Sequence, residues 1–270
     1  MSQHWTLDDI DWAAFDASKV DADLLRTVKA ASLVEANAPD YVTYLSNVFS
    51  DDPELLAEIE RWGIEEEQHG AALARWAEMA DASFSFDAAL AQFQEGYSIP
   101  QDVDQSTRGS RGGELLARCV VETGTSSFYS AIRDASDEPV LKQIAANLAR
   151  DEFNHYKLFY DHFLRYEGDV PSKLRRLKIA LGRVNEADDD ELSYAYFCAN
   201  TPNGDYDREG CAKAYQARAL GLYQRRHTDR LVAMIVNACG IRISPRVAKP
   251  LTSVVWWGFS RHTSRLAKAA

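Results

Sequence analysis

The sequence predicts an all-α protein in which four long helices form a bundle and further helices occupy the last third of the chain. Glycine and proline are sparse, at 14 and 8 of 270 residues, which favours helices over a turn-rich β fold. Apolar residues recur at helical spacing over several long segments, and two of these segments carry a glutamate three residues before a histidine. We treat residues 1–270 as a single domain, with the bundle over 18–166 and extra helices over 171–270 that pack on it.

An N-terminal arm precedes the first long helix. Residues 1–17 carry several aspartates and lack the period of a regular element. We expect this arm to lie against the body of the protein through its large aromatic side chains. These are Trp5, Trp12 and Phe15.

The first long helix is predicted from about Lys19 to Phe49. Ser18 and Asp21 have the spacing of a capping box at its start, although Asp replaces the usual Glu or Gln. Pro39 lies inside this segment and should kink the helix or widen a turn, because proline lacks a backbone N–H. The alternative is a break that separates two shorter helices.

Three more long helices complete the predicted bundle. In order, the sequence predicts helix two over about Pro53–Ala80, a short helix near Asp87–Gln94, helix three from Gly112-Gly113 to about Ile132, and helix four over about Pro139–Tyr166. Capping acids followed by proline mark the starts of helices two and four. Gly168 and Pro171 are stop signals after helix four. The long connection 81–109 has room for a crossover between the two helix pairs.

The remaining residues are predicted to add helices around the bundle. Residues 186–191 place acids at a helix start, Asn203-Gly204 indicates a turn, and one helix is predicted over about Asp207–Cys239. Two stretches, Lys173–Arg183 and residues 241–270, are basic and contain no acid.

The two glutamate–histidine motifs are the main functional signal. They lie in Trp62-Gly-Ile-Glu-Glu-Glu-Gln-His69 and in Arg150-Asp-Glu-Phe-Asn-His155. Residues three apart on a helix project from one face, one turn apart, so each glutamate and its histidine can bind the same metal ion. The predicted ligands are Glu66 with His69, and Glu152 with His155.

Each motif has a second glutamate at a suitable distance. Glu35 precedes Glu66 by nearly the same separation as Glu122 precedes Glu152, and each lies alone on an apolar or small-residue segment. In an antiparallel helix pair, residues equidistant from the turn lie at the same level. The midpoints fall at the predicted turns, so both pairs should bring the glutamate opposite its motif.

Four carboxylates and two imidazoles suit two divalent irons in a ferritin-like bundle. Carboxylate-rich ligation stabilises the higher oxidation states that follow dioxygen cleavage, whereas zinc needs fewer ligands and calcium does not favour histidine. We expect two Fe²⁺ ions, with manganese as the other possibility, and dioxygen as co-substrate. In the usual arrangement Glu35 and Glu122 are terminal ligands, and Glu66 and Glu152 bridge.

Composition excludes several other classes of protein. The net charge of −11 argues against nucleic acid as a partner. The four cysteines are scattered and form no Cys-x-x-Cys pair, which argues against a rubredoxin-type or structural zinc site. The N-terminus lacks the apolar core of a signal peptide, and no apolar stretch is long enough to span a membrane. We therefore expect a cytoplasmic protein with reduced thiols.

The motifs resemble those of the soluble acyl-[acyl-carrier-protein] desaturases. The first motif is similar to theirs including Trp62 and the glycine at position 70, and Glu122-Thr-Gly-Thr125 resembles their ligand glutamate with a threonine three residues later. The resemblance covers about residues 20–166. It implies that two hydrogens are removed from a fatty acyl chain, that a ferredoxin-type donor supplies electrons, and that Thr125 takes part in proton delivery at the dioxygen side of the metals. The alternative for Thr125 is a hydrogen bond to a backbone carbonyl.

The acids next to the predicted ligands have two alternative roles, as supporting groups of the centre or as solvated side chains. Asp151 is a candidate catalytic residue that orients a histidine ring or takes a proton, or else a solvated helix acid. Glu65 and Glu67 are expected to be ordinary solvated acids. The resemblance also implies an apolar tunnel for the acyl chain, with candidate lining residues that core packing would equally explain. They are Ile59, Trp62, Ser126, Tyr129, Phe153 and Phe159.

The basic segments of the sequence indicate possible binding partners. An acyl carrier protein is acidic, and Lys173–Arg183 is the candidate docking surface for this protein or another acyl thioester carrier, with a solvated helix face as the alternative. The basic, Trp-rich C-terminal segment could lie on a membrane surface or form the contact of a homodimer, which is the oligomer we expect.

Two other functions use the same ligand set. One is a di-iron N-oxygenase or hydroxylase of a small molecule, and the other is a ferritin-like protein that handles iron or peroxide. A radical tyrosine, as in a ribonucleotide reductase subunit, has only Tyr129 and Tyr156 as candidates. A long apolar channel would favour a lipid substrate, and a short polar pocket would favour the small-molecule oxygenase.

Overall fold

The computed structural model describes residues 4–170, 172–185 and 190–269, and within these ranges the chain forms helices and no β-strand. The eleven α-helices are α1 (Ala22–Ala36), α2 (Ala38–Val48), α3 (Pro53–Ala80), α4 (Phe86–Gly96), α5 (Arg111–Ala135), α6 (Pro139–Arg165), α7 (Lys173–Asn185), α8 (Asp190–Asn200), α9 (Arg208–Gly221), α10 (Arg225–Ala238) and α11 (Pro245–Ala269). The all-helical fold class is as predicted.

Four long helices pack as two pairs. Helix α1 lies along α3, α5 lies along α6, and α3 also contacts α6, which joins the pairs. The capping side chains that start the second helix of each pair are those that the sequence indicated. Asp52 accepts a hydrogen bond from the backbone N–H of Leu55, and Glu138 accepts one from Leu141. In both helices proline follows at the first position, where its missing N–H costs nothing.

The first predicted helix is divided in two. Helix α1 ends at Ala36 and α2 begins at Ala38, so the break rather than the kink is correct, and Pro39 occupies the first turn of α2. The predicted capping box is wrong. Asp21 itself caps α1 by accepting from the N–H groups of Asp23 and Leu24, while Ser18 lies in a separate 3-10 turn.

The N-terminal arm packs on the helices as expected. Trp5 is buried in a core formed by α1, α3, α5 and α6, and Trp12 and Phe15 pack against the same core. Trp5 is also held by Gln68, whose side-chain amide donates to the Trp5 carbonyl at 3.0 Å. The arm therefore covers the face of α3 that carries the first motif.

The single helix predicted over 207–239 is wrong. Helix α9 ends at Gly221 and α10 begins at Arg225, because Gln224 adopts an extended backbone between them. The acidic residues 186–189 and the stop signal Pro171 lie outside the described residues. None of the described helices has the length and hydropathy needed to cross a lipid bilayer.

Candidate metal centre

The two helix pairs bring all six predicted ligands together in the interior. Glu35 comes from α1, Glu66 and His69 from α3, Glu122 from α5, and Glu152 and His155 from α6, and each is at least nine-tenths buried. The ring centroids of His69 and His155 are 5.7 Å apart. The structure thus gathers onto one buried site the side chains that the sequence analysis selected separately.

The ligand atoms fall into two overlapping groups. Glu35, Glu66, His69 and Glu152 each offer one atom within 4.8 Å of the others, and so do Glu66, Glu122, Glu152 and His155. Glu66 and Glu152 belong to both groups, which is the position of bridging ligands. Glu35 and Glu122 each belong to one, which is the position of terminal ligands. Buried groups of this composition could hold metal ions.

A close helix approach sets Glu35 against His69. Gly70 follows His69, and a Cβ atom there would lie 2.8 Å from the backbone nitrogen of Ala36. Only glycine therefore allows α1 and α3 to approach at this level. As a result Glu35 Oε2 lies 3.9 Å from His69 Nδ1, although the two residues are on different helices.

Both histidine rings turn the same nitrogen toward the carboxylates. Nδ1 of His69 lies 3.3 Å from oxygens of Glu66 and Glu152. Nδ1 of His155 lies 3.1 Å from Glu66, 3.8 Å from Glu152 and 3.9 Å from Glu122. The two nitrogens thus face one shared space lined by carboxylate oxygens.

The opposite nitrogens contact two further acids. Nε2 of His69 lies 3.4 Å from Asp151, and Nε2 of His155 lies 2.8 Å from Glu65. Each acid directly precedes the ligand glutamate of one motif and reaches the histidine of the other. The expectation that Glu65 is merely solvated is therefore wrong, because this contact crosses from α3 to α6. For Asp151 the structure favours the ring-orienting alternative.

Two residues of the N-terminal arm also contact these acids. The indole N–H of Trp5 donates to Asp151, and its ring is stacked on His69 with centroids 6.2 Å apart. Nε2 of His4 lies 3.2 Å from Asp151 and 3.7 Å from Glu65. Burial alone would raise the pKa of Asp151, but the hydrogen bonds from His69 and Trp5 hold it below its usual value. Asp151 is thus a carboxylate in this setting.

Three buried polar atoms test whether a metal fits. Nδ1 of His69, Nδ1 of His155 and Oε1 of Glu152 make no hydrogen bond within the part of the chain that the structure describes. Buried polar atoms are normally satisfied, and lone-pair atoms that face each other repel unless a cation or proton lies between them. All three belong to the predicted ligand set. The residues present therefore fit a bound cation.

The pKa values of the carboxylates indicate the same need for positive charge. Burial, with the charges of Glu66 and Glu152 beside it, raises the pKa of Glu35 well above its ordinary value. Burial also raises the pKa of Glu122. Burial would do the same to Glu66, but the charge of His155, whose Nδ1 lies 3.1 Å away, lowers the pKa of Glu66. Four carboxylates in one dry space cannot all ionise without cations among them.

The histidines show the complementary effect. Burial opposes protonation of His69, yet its contacts with Asp151, Glu152 and Glu66 raise its pKa well above the ordinary value. The pKa of His155 is raised in the same way, chiefly by the charge of Glu66 beside it. Both rings therefore lie where the surrounding carboxylates favour positive charge.

Two hydroxyl groups bond directly to candidate ligands. Thr125 Oγ1 donates to Glu152 Oε2 at 2.6 Å, and it also lies 3.3 Å from two backbone carbonyls of its own helix. The backbone contact given as the alternative for this threonine is therefore present, together with a hydrogen bond to a candidate ligand. The hydroxyl of Tyr129 donates to Glu35. Tyr129 is completely surrounded by the core, and burial raises its pKa well above the ordinary value.

Sequence analysis missed Arg118. This residue precedes Glu122 by one helical turn, and its Nη2 lies 3.2 Å from Glu122 Oε1. Its guanidinium also lies over the rings of Trp62 and Tyr41, 4.9 and 5.2 Å from their centroids. The four-residue spacing was the available signal. Arg118 is 8% exposed, which is unusual for an arginine.

A cavity reaches this arginine from the surface. Its volume is about 150 Å³, and its lining extends from the exposed Pro100 and Thr107 to the buried Arg118. The lining comes from α2, the segment between α4 and α5, α5 itself and Arg183 of α7. Val121 also lines it, directly before Glu122. The cavity is thus adjacent to the candidate metal centre.

The residues proposed for an acyl tunnel lie mostly in the core. Ile59, Trp62 and Phe159 are buried in one cluster, where the rings of Trp62 and Phe159 meet edge to face at 5.6 Å. Ser126 donates to the carbonyl of Ala149. Tyr129 is buried, and Phe153 is partly buried.

The basic docking surface is smaller than the sequence indicated. Arg176 is buried, where it donates to the carbonyl of Val170 and pairs with Glu167 at 2.5 Å. Arg175 and Lys178 are exposed on the same helix. Of the basic residues in 173–183, the exposed ones that could receive an acidic partner are Lys173, Arg175 and Lys178.

Comparison with known proteins adds no assignment. No protein-family model matches the chain, and no curated protein is significantly similar to it. The likeness to acyl-[acyl-carrier-protein] desaturases therefore rests on the motif residues. In the described residues the structure shows an all-helical protein with buried glutamate and histidine groups that could hold metal.

Proposed function

We propose that this protein is a ferritin-like di-iron oxidase that uses dioxygen to oxidise an organic substrate. The observation that carries the proposal is the pair of buried histidine Nδ1 atoms that face four carboxylates without a hydrogen-bond partner in the described chain. His69 and Glu35 would hold one ion, His155 and Glu122 the other, and Glu66 and Glu152 both. When bound, two ferrous ions would supply two electrons to dioxygen, which is the oxidant of this chemistry.

The surrounding residues have roles that their contacts support. Asp151 and Glu65 hold the histidine rings so that Nδ1 faces the ions and Nε2 keeps its proton. Tyr129 fixes the Glu35 carboxylate through its hydroxyl. Thr125 holds a hydroxyl proton at Glu152 Oε2, where it can be passed to a reacting oxygen. The apolar core around these groups excludes water.

Two substrate classes have specific support. The motif resemblance supports desaturation of a fatty acyl chain carried on an acyl carrier protein, with a ferredoxin-type donor. The small cavity beside Arg118, about 150 Å³ in volume, supports oxygenation of a small molecule. A ferritin-like role in iron or peroxide handling needs only the metal centre.

Anaerobic iron loading followed by dioxygen distinguishes these functions. We expect about two irons per chain by elemental analysis. Mass spectrometry on acyl-carrier thioesters and on small carboxylates then decides the reaction. Loss of two hydrogen atoms indicates desaturation, gain of an oxygen atom indicates oxygenation, and iron oxidation with every substrate unchanged indicates iron handling.

A matched pair of variants links any product to the centre. Glu66→Gln should abolish iron loading, because Glu66 faces both histidines. Glu67→Gln should load normally, because this neighbour is exposed. Equal iron content in the two variants would refute the proposed centre.

A further inference from the structure

Charged side chains line the cavity beside Arg118. They are Arg108, Arg118, Arg183 and Glu114. The Glu114 carboxylate already accepts hydrogen bonds from the hydroxyls of Tyr44 and Ser106, each at 2.7 Å. Glu114 is therefore engaged, and Arg118 is the lining cation that contacts a candidate metal ligand.

Arg118 itself has an unused donor. Its Nη2 faces Glu122, but its buried Nε has no hydrogen-bond partner among the described residues. An unpaired buried donor is costly, and a guanidinium can bind a carboxylate through two parallel N–H groups. The Nε–H of Arg118 is therefore a buried donor of the kind that proteins normally hydrogen-bond.

Metal binding at the proposed centre would leave the positive charge of Arg118 less compensated. Two divalent ions held there would neutralise the four ligand carboxylates while both histidines remain neutral. Glu122 would then share its charge with a metal, so the adjacent Arg118 would lose its full counterion. A buried cation without a counterion is unstable, and an anion from outside would restore the balance.

The size and lining restrict the anion. An apolar protein cavity of similar volume, about 150 Å³, binds benzene, so this one has room for a single aromatic ring. Three tyrosine rings line it, namely those of Tyr41, Tyr44 and Tyr97. Aromatic walls favour a flat ring through stacked or edge contacts.

We infer that this cavity binds a small aromatic carboxylate, with the carboxylate on Arg118 and the ring among the tyrosines, next to the candidate metal centre. The assignment of this molecule as the substrate class rests on the proposed function. As a binding site it stands on the cavity alone. Arg118 and Val121 lie one turn and one residue before Glu122 on α5, so a ring held there lies beside a candidate metal ligand.

Calorimetric titration of the full chain tests the site without turnover. The probes are benzoate and its neutral counterpart benzamide, which have nearly the same shape. We expect benzoate to bind about tenfold or more tighter than benzamide, because only benzoate pairs with the guanidinium. Equal affinities, or no binding of benzoate, would overturn the inference, and neither result depends on a variant that folds.

Variants locate the effect at one residue. Arg118→Met should remove the preference for benzoate, while Arg242→Met, which removes an exposed cation elsewhere, should keep it. A bulky side chain in Val121→Phe should block both probes by filling the cavity. A preference that survives in Arg118→Met would contradict the inference.

Metal loading separates this inference from the proposed function. Titrations with and without anaerobically loaded Fe²⁺ should show tighter benzoate binding in the loaded protein, because Glu122 then no longer compensates Arg118. Iron binding without benzoate binding would refute the substrate class and leave the oxidase proposal intact. Benzoate binding without iron binding would refute the oxidase and leave the anion site.

Discussion

Glu65 on α3 lies 2.8 Å from Nε2 of His155 on α6, across the boundary between the two helix pairs. Asp151 makes the reciprocal contact with His69. When Nδ1 of such a ring binds a metal, an acid on Nε2–H fixes the ring and increases its basicity. Each motif therefore supplies both a ligand pair and the acid that supports the other motif's histidine.

Loss of these supporting acids should weaken metal binding. Asp151→Asn and Glu65→Gln keep the size of the side chain but remove its charge, so we expect iron affinity to fall about 10–100-fold. Anaerobic competition with a chromogenic chelator measures this affinity. Glu67→Gln is the control, because it makes the same change on an exposed neighbour. Unchanged affinity in both supporting-acid variants would show that the contacts do not matter.

The hydroxyl of Thr125 should affect turnover more than metal content. Thr125→Val removes the donor to Glu152 Oε2 and keeps the shape of the side chain. We expect full iron loading and product formation slower by about 100-fold, the usual size of a lost proton-transfer group. Thr125→Ser keeps the hydroxyl and should restore most of the rate. A valine variant as fast as the wild type would exclude the proton role.

The close approach at Gly70 should make even alanine harmful there. The added Cβ would lie 2.8 Å from the Ala36 nitrogen, so α1 must move away from α3. We expect the free energy of unfolding to fall by about 1–3 kcal/mol and iron affinity to fall with it, because Glu35 moves too. Urea denaturation and chelator competition measure the two effects.

Gly182 provides the opposite control for that substitution. No described atom lies within 4 Å of a Cβ built at this helical position. Gly182→Ala should therefore stabilise α7 by about 0.5–1 kcal/mol, through helix propensity alone. If both alanine variants destabilised equally, steric contact would not be the cause at Gly70.

A buried lysine makes stability depend on pH. The ammonium of Lys29 lies 2.5 Å from Asp81, and this hydrogen bond is the leading cause that lowers the pKa of Asp81 to about 2. Because the folded pKa is below the unfolded value, the contribution is complete above about pH 5. It declines as the pH falls through about 4 toward 2. The pair therefore stabilises the protein at neutral pH.

Asp81→Asn should reveal this contribution. At pH 7 we expect a loss of about 1–3 kcal/mol, since the buried ammonium keeps no anionic partner. The difference from the wild type should shrink in urea titrations between pH 5 and pH 3. Asp161→Asn, an exposed change on α6, should show little effect at any pH. A constant difference across this range would contradict the ion-pair origin.

The docking surface proposed for an acyl carrier protein gives a further prediction. Arg175→Glu with Lys178→Glu reverses two exposed charges, and turnover on a carrier-linked substrate should fall about tenfold or more at low salt. Lys142→Glu with Lys213→Glu gives the same net charge at other exposed positions. Arg176 is left intact, because it is buried and its loss would disturb folding. Equal turnover in both double variants would exclude this surface.

The parts that local sequence could predict are those that local geometry determines. A spacing of three residues places Glu66 with His69 on any helix, and a capping acid before proline starts α3 and α6 where expected. These signals located the helices and the six clustered side chains.

The parts that were missed depend on contacts between distant segments. Glu65 is on the same helix as Glu67, and only the packing of α6 distinguishes the acid that meets His155 from the one in solvent. Arg118 carries a local signal, but its cavity needs α2 and the segment before α5. The break after Gly221 depends on the extended backbone of Gln224, which no strong breaker imposes.

The division of the ligands between two helix pairs has a consequence for biosynthesis. Glu35, Glu66 and His69 emerge from the ribosome with the first pair, well before α6 is translated. Until then the growing chain has two acids and an imidazole without the ligands of the second helix pair. The indole of Trp5 also lacks its hydrogen-bond acceptor, Asp151. If the centre holds iron as proposed, insertion of the ions would await nearly two-thirds of translation, which would make premature loading of nascent chains unfavourable.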